Sequence, residues 1–247
     1  MSLTSTVVVT FIKNNYRSKS ATIVSLLLAL IFSVILTILG MSFFILPQLD
    51  SAAPDIDKIT NILGLIVYST CLCCLGMNIN TFTAKPLIIE KSGKTLEALM
   101  ATSLTAKQIW IARSLAVFIP GFVISEVVSL ISFLIINVFF IGPKIGFLIS
   151  PWMVFNGFFV LQLMYFALNL LVHIVALTGN PISGNAIAQT TFPVIGSLMI
   201  NLGVRYIWST NSWIFALMNL ICFVAIIFLV FIFQPLVTKE NITISNK

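Results

Sequence analysis

The sequence predicts an all-α membrane protein. Six transmembrane helices follow an N-terminal interfacial helix, and a short helix sits between the second and third spans. Three observations predict this. The 247 residues are 59% hydrophobic and only 8% charged, where a soluble domain carries about 25% charged residues. The mean hydropathy is +1.12. The apolar residues also fall into runs long enough to cross about 30 Å of hydrocarbon as helix, and no run alternates as barrel strands do. Soluble-enzyme readings are thereby excluded. The net charge of +6 is not a nucleic-acid signal, because the basic residues cluster at the ends of the apolar runs.

The spans are expected at 21–46, 59–82, 109–141, 152–177, 186–206 and 213–235. The first is too long for a signal peptide and no small-residue cleavage site closes it. No linker or strong internal repeat divides the chain. It reads as one transmembrane domain over 1–247, with an interfacial segment at 1–20, the helical domain at 21–235 and a tail at 236–247.

Lys and Arg set the orientation. With the N-terminus inside, Lys13, Arg17, Lys19, Lys85, Lys91, Lys94, Lys107, Arg113, Lys239 and Lys247 are cytoplasmic, while Lys58, Lys144 and Arg205 are outside. That asymmetry follows the positive-inside rule and puts both termini in the cytoplasm of a multi-pass cell-membrane protein. Asp50, Asp55 and Asp57 then lie in the first outer loop.

Residues 3–20 mix Val7, Val8, Phe11, Ile12 and Tyr16 with Lys13, Arg17 and Lys19. Two readings stand: an amphipathic helix on the inner leaflet, or a frayed basic tail. The short connections at 142–146 and 178–185 are dense in turn-forming residues.

The most informative stretch is the polar island at 85–109, which with Arg113 holds five of the thirteen basic residues. Within it, Leu96, Leu99 and Met100 fall at i, i+3 and i+4, so 95–101 reads as a short amphipathic helix. Its apolar stripe needs a membrane or another protein to rest on. Thr105 and Gln108 have capping-box spacing and should start the third span's helix. A rigid joint there would pass a push on the loop to a membrane helix.

The island resembles the cytoplasmic loop of ABC type-2 permeases, the membrane subunits of ATP-driven exporters. Glu90-Lys91, Gly93, Thr95-Leu96-Glu97, Leu99, Thr102, Leu104, Ile109 and Ala112-Arg113 carry the likeness. Lys94 is inserted between Gly93 and Thr95, Ser103 stands where that family often has Pro, and Ala112-Arg113 replaces Gly-Lys. The resemblance implies a permease coupled to a separate ATPase through the 90–104 loop. The short helix would be the coupling helix, with Glu90, Lys94, Thr95, Leu96, Glu97, Leu99 and Met100 at the ATPase contact. It implies a nucleotide-binding partner subunit holding ATP and Mg, and a second permease copy as homodimer or heterodimer. No nucleic acid partner is implied.

The chain itself offers no site for ATP. Ser92-Gly-Lys-Thr95 resembles the tail of a phosphate-binding loop, but Ile88 stands in the first glycine's place. The segment at 179–184 has the two glycines, but Asn185 stands where Lys is required. Catalysis, cofactor and metal are therefore not expected here. Cys71, Cys73, Cys74 and Cys222 read as small apolar packing groups, and His173 is the only histidine.

Glu126 is the one acidic residue well inside a span, a few residues after Pro120-Gly121. A carboxylate in hydrocarbon costs a few kcal/mol and marks a cavity, a partner or an ion path. It reads either as part of a translocation path or intramembrane polar site, or as a group in the outer interface. Two functions outside the ATP-driven reading remain: an ion-coupled transporter or channel using Glu126, and an immunity- or haem-delivery-type permease of the same family.

Overall fold

The structure is a computed structural model describing residues 3–17, 19–93 and 95–244. Lys94 and Lys247 lie outside the described residues. Helix accounts for 86% of the chain, with no strand among the described residues. The main helices are α1 (Leu3–Asn15), α2 (Lys19–Gly40), α3 (Ile56–Phe82), α4 (Ala84–Ser92), α5 (Thr95–Met100), α6 (Ala106–Ile135), α7 (Leu161–Thr178), α8 (Pro181–Val204), α9 (Trp213–Phe233) and α10 (Lys239–Ile244). Six helical runs are long and apolar enough to span a bilayer: Thr22–Leu49, Ile56–Lys91 (with a bend at Thr83), Ala106–Ile145, Pro151–Thr178, Pro181–Val204 and Trp213–Leu236. The chain is a multi-pass membrane protein.

Helix α3 is the axis of the bundle. It packs against α2, α6 and α8, while α7 packs against α6, α8 and α9. Its residues from Ile59 to Cys71 are all buried. Helices α2, α8 and α9 form the rim and turn large apolar side chains outward, among them Ile31, Val194 and Phe228. Such a surface is stable only in lipid or against another apolar surface.

Local chemistry fixes where the helices begin. Asp55 caps α3 by accepting from Lys58 N at 3.1 Å. That bond and the nearby Lys58 ammonium hold the Asp55 carboxyl below the usual carboxylate range. Ser212 caps α9 through Phe215 N at 3.4 Å.

Two sequence expectations change here. Residues 85–92 read as loop, but α4 continues almost directly from α3, so the polar island begins as a helix. The segment at 178–185 also read as a turn, whereas α8 begins at Pro181. Asn180 accepts from Ile182 N at 2.9 Å, and Pro occupies the first turn. Asn followed by Pro is a helix-start signal as much as a turn signal, since Pro lacks only an N–H that the first turn cannot use.

Three runs turn briefly into π-helix: Met41–Ile45, Ile136–Ile141 and Phe155–Val160. All three contribute to a second apolar core, built from residues such as Ile45, Ile59, Ile136 and Met153. That core lies at the end of the bundle opposite α4, α5 and α10. Helix α6 runs through Pro120, and Gly121 beside it allows a close crossing. A methyl group on Gly121 would lie 2.5 Å from Tyr165 Oη.

Candidate functional site

At one end of the bundle α1, α4, α5, α10 and the start of α6 come together. Arg113, on the second turn of α6, is 5% exposed and forms an ion pair with Glu90 of α4. Its guanidinium lies 4.5 Å from the centre of the Phe11 ring on α1. Lone buried cations are costly, so a carboxylate and an aromatic face are the partners such a group requires. Next to Glu90, Lys91 donates to Gly179 O at 2.6 Å and ties α4 to the α7–α8 connection.

Helix α5 is seated on the chain itself. Leu96 is fully buried, Met100 is buried, and both join the main core; Leu99 packs against it from a half-buried position. The expectation that Leu96, Leu99 and Met100 form a free docking stripe is corrected by this geometry. Leu96 and Met100 are used in anchoring this one-and-a-half-turn helix, and Leu99 in part. The outer face carries Thr95, Ala98, Ala101 and Thr102, with Glu97 half-exposed.

Helix α10 lies beside it, with Ile242 fully buried in the same core. Lys239 donates to Thr102 O at 2.9 Å. An open groove of about 510 Å³ runs between the two short helices, bordered by Glu97, Ala101, Lys239 and Glu240. Thr105 and Gln108 form the full capping box. Gln108 N donates to Thr105 Oγ1 at 3.2 Å and Thr105 N to Gln108 Oε1 at 2.9 Å.

Polar bonds thread the interior along α3. Tyr165 Oη donates to Asn78 Oδ1 at 2.8 Å, and Asn78 Nδ2 donates to Tyr16 Oη at 3.1 Å. Tyr16 stacks on Phe82 with ring centres 4.4 Å apart, and burial pushes its hydroxyl up to about 12. Further along, Tyr68 Oη donates to Asn219 Oδ1 at 2.7 Å. At the far end Thr210 N donates to Asn61 Oδ1 at 2.7 Å, and Asn61 Nδ2 donates to Gly203 O at 3.0 Å. These bonds fasten α3 to α1, α7, α9 and the α8–α9 turn. Each is worth about 1 kcal/mol.

Glu126 sits half-buried at the seam of α6 and α7. Gln162 Nε2 donates to Glu126 Oε1 at 2.7 Å and to Ser125 Oγ at 2.9 Å. The same nitrogen lies 3.2 Å from Cys71 Sγ. Buried beside them, Gln162 Oε1 has no hydrogen-bond partner.

Among the described residues no three of His, Cys, Asp and Glu come together as a metal cluster. His173 Nδ1 lies 2.8 Å from Asn169 O, so the ring is held within α7. The loop residues named from sequence thus divide. Glu90, Leu96 and Met100 are structural, Thr105 and Gln108 start α6, and Thr95, Glu97 and the unforeseen Lys239 line open surface. The signal for the Glu90 pair was present in the sequence, since Arg113 lies inside an apolar run and had to find a partner.

No protein family, curated protein or solved structure matches this chain. The fold and the class, an all-α six-span membrane protein, rest on the chain's own geometry.

Proposed function

We propose that this chain is the membrane-spanning permease subunit of an ATP-driven exporter, working with a separate ATPase subunit that binds ATP and Mg. In this reading the membrane is the cell membrane, both termini and the 90–104 loop are cytoplasmic, and a second permease copy completes the transporter. The observation that carries it is the mechanical layout of the loop. Helix α5 presents a small-residue face to the outside, is anchored by Leu96 and Met100, and passes through the Thr105–Gln108 box into α6. The Glu90–Arg113 pair ties α4 to the same helix. Force on α5 therefore reaches a spanning helix through packed contacts, with little slack chain between.

The contact surface in this proposal differs from the Leu stripe that the sequence suggests. It is the exposed face of α5 at Ala98 together with the groove between α5 and α10, bordered by Glu97, Ala101, Lys239 and Glu240. The test is affinity purification of the tagged chain from its native host. An ATPase subunit should co-purify, and Ala98→Trp, at an exposed position, should release it while the permease stays folded. Absence of any ATPase from the wild-type preparation would overturn the proposal.

A further inference from the structure

We propose that the α6–α7 seam at Glu126 is a binding site for a lipophilic organic cation. The carboxylate lies midway along an apolar helix, half-exposed, and its hydrogen-bond partner is the neutral amide of Gln162. Among the described residues it makes no ion pair. A carboxylate in hydrocarbon with no opposite charge is costly, and a cation arriving there removes that cost.

The chain's own charges do not serve. Its basic residues sit at helix ends and in loops, apart from Arg113, which is committed to Glu90. A second copy therefore brings no free cation to this depth, and a countercharge for the ionised carboxylate would come from a ligand.

The surroundings select its chemistry. Phe122 lies one turn before Glu126 on α6, and Phe159 lies one turn before Gln162, in the π-helical stretch that leads into α7. Both rings are exposed, Phe159 by 59%. Phe118 and Phe166, with ring centres 5.1 Å apart, close the seam on one side. Aromatic faces beside a carboxylate suit a cation with a soft, weakly hydrated shell.

A small inorganic ion would need about six oxygen ligands. Here the Gln162 amide nitrogen points at the carboxylate and at Ser125 Oγ, leaving too few. One group at least nine-tenths buried is left unused: Gln162 Oε1, on a side chain 4% exposed. It supplies an acceptor for a polar group on the ligand.

The inference does not depend on an ATPase partner, and its test uses none. The full chain in lipid nanodiscs is titrated with tetraphenylphosphonium and, separately, with tetraphenylborate, an ion of the same shape and opposite charge. Saturable binding of the phosphonium that the borate does not match is the expected result. Glu126→Gln keeps the bond to Gln162 and should weaken phosphonium binding by about tenfold or more, while Glu126→Asp retains it. Phe122→Ala and Phe159→Ala should each weaken it by about threefold. Absence of saturable phosphonium binding, equal binding of the borate, or full binding by Glu126→Gln would each overturn the proposal. The comparison of the two ions on the unmodified chain decides the matter even where a variant fails to fold.

Discussion

Glu90 and Arg113 face each other as an ion pair enclosed by α1, α4 and α6, with the Phe11 ring against the guanidinium. Three segments that the sequence keeps apart are joined at this point. Removing one partner leaves the other charged and buried.

Arg113→Ala should therefore destabilise the protein by about 3–5 kcal/mol. Glu90→Gln should cost at least as much, since it leaves the more deeply buried Arg113 without its carboxylate, the two side chains being 5% and 16% exposed. The double change Glu90→Leu, Arg113→Met should recover much of the loss. Thermal unfolding of the detergent-solubilised variants measures all three. A silent Arg113→Ala would show that the pair carries no weight.

The Glu126–Gln162 hydrogen bond gives a second expectation. Glu126→Gln should leave stability nearly unchanged, because an amide still accepts from Gln162 Nε2. Glu126→Leu removes one of the two oxygen acceptors of Gln162 Nε2, leaving Ser125 Oγ, and should cost about 1 kcal/mol. Equal stability of the Gln and Leu variants in unfolding experiments would count against a structural role for the bond.

Helix α5 separates two kinds of damage. Leu96 is fully buried, so Leu96→Asp places an unpaired charge in the core and should cost several kcal/mol. Ala98 is exposed on the same helix, so Ala98→Trp should leave unfolding unchanged within about 0.5 kcal/mol. If Leu96→Asp unfolds at the wild-type temperature, the helix is not seated as described.

The orientation can be read by labelling. In a background with Cys71, Cys73, Cys74 and Cys222 replaced, a single cysteine at Ala98 should resist membrane-impermeant reagents applied to intact cells. One at Ala53, in the loop opposite, should react. The reverse pattern would invert the topology that the basic residues imply.

The spans were legible in the sequence because length and hydropathy alone specify them; most ends shift by five residues or fewer, while the second span's moves from 82 to 91. The capping box was legible because Thr105 and Gln108 stand at the spacing the bonds need. The Glu126–Gln162 bond was half legible: a carboxylate in an apolar run must find a partner, but spacing along one helix says nothing of α7. The seating of α5 was not legible. An i, i+3, i+4 stripe states that a face is apolar, and is silent on whether the same chain covers it. The docking of α10 through Ile242 and Lys239 supplied that answer from the far end of the sequence.

The π turns at Met41–Ile45, Ile136–Ile141 and Phe155–Val160 carry an evolutionary consequence. A π turn holds one residue more than the α-helix on either side of it. Each is therefore a place where the chain can lose a residue without rotating the flanking halves against each other. Deleting Phe44 should convert the first into ordinary α-helix and leave Ile45 and everything inward of it in register. Deleting a residue from the middle of α3 would turn half its buried face outward. Length variation among descendants of this chain should thus collect at one end of the bundle, where the helices already carry a spare residue.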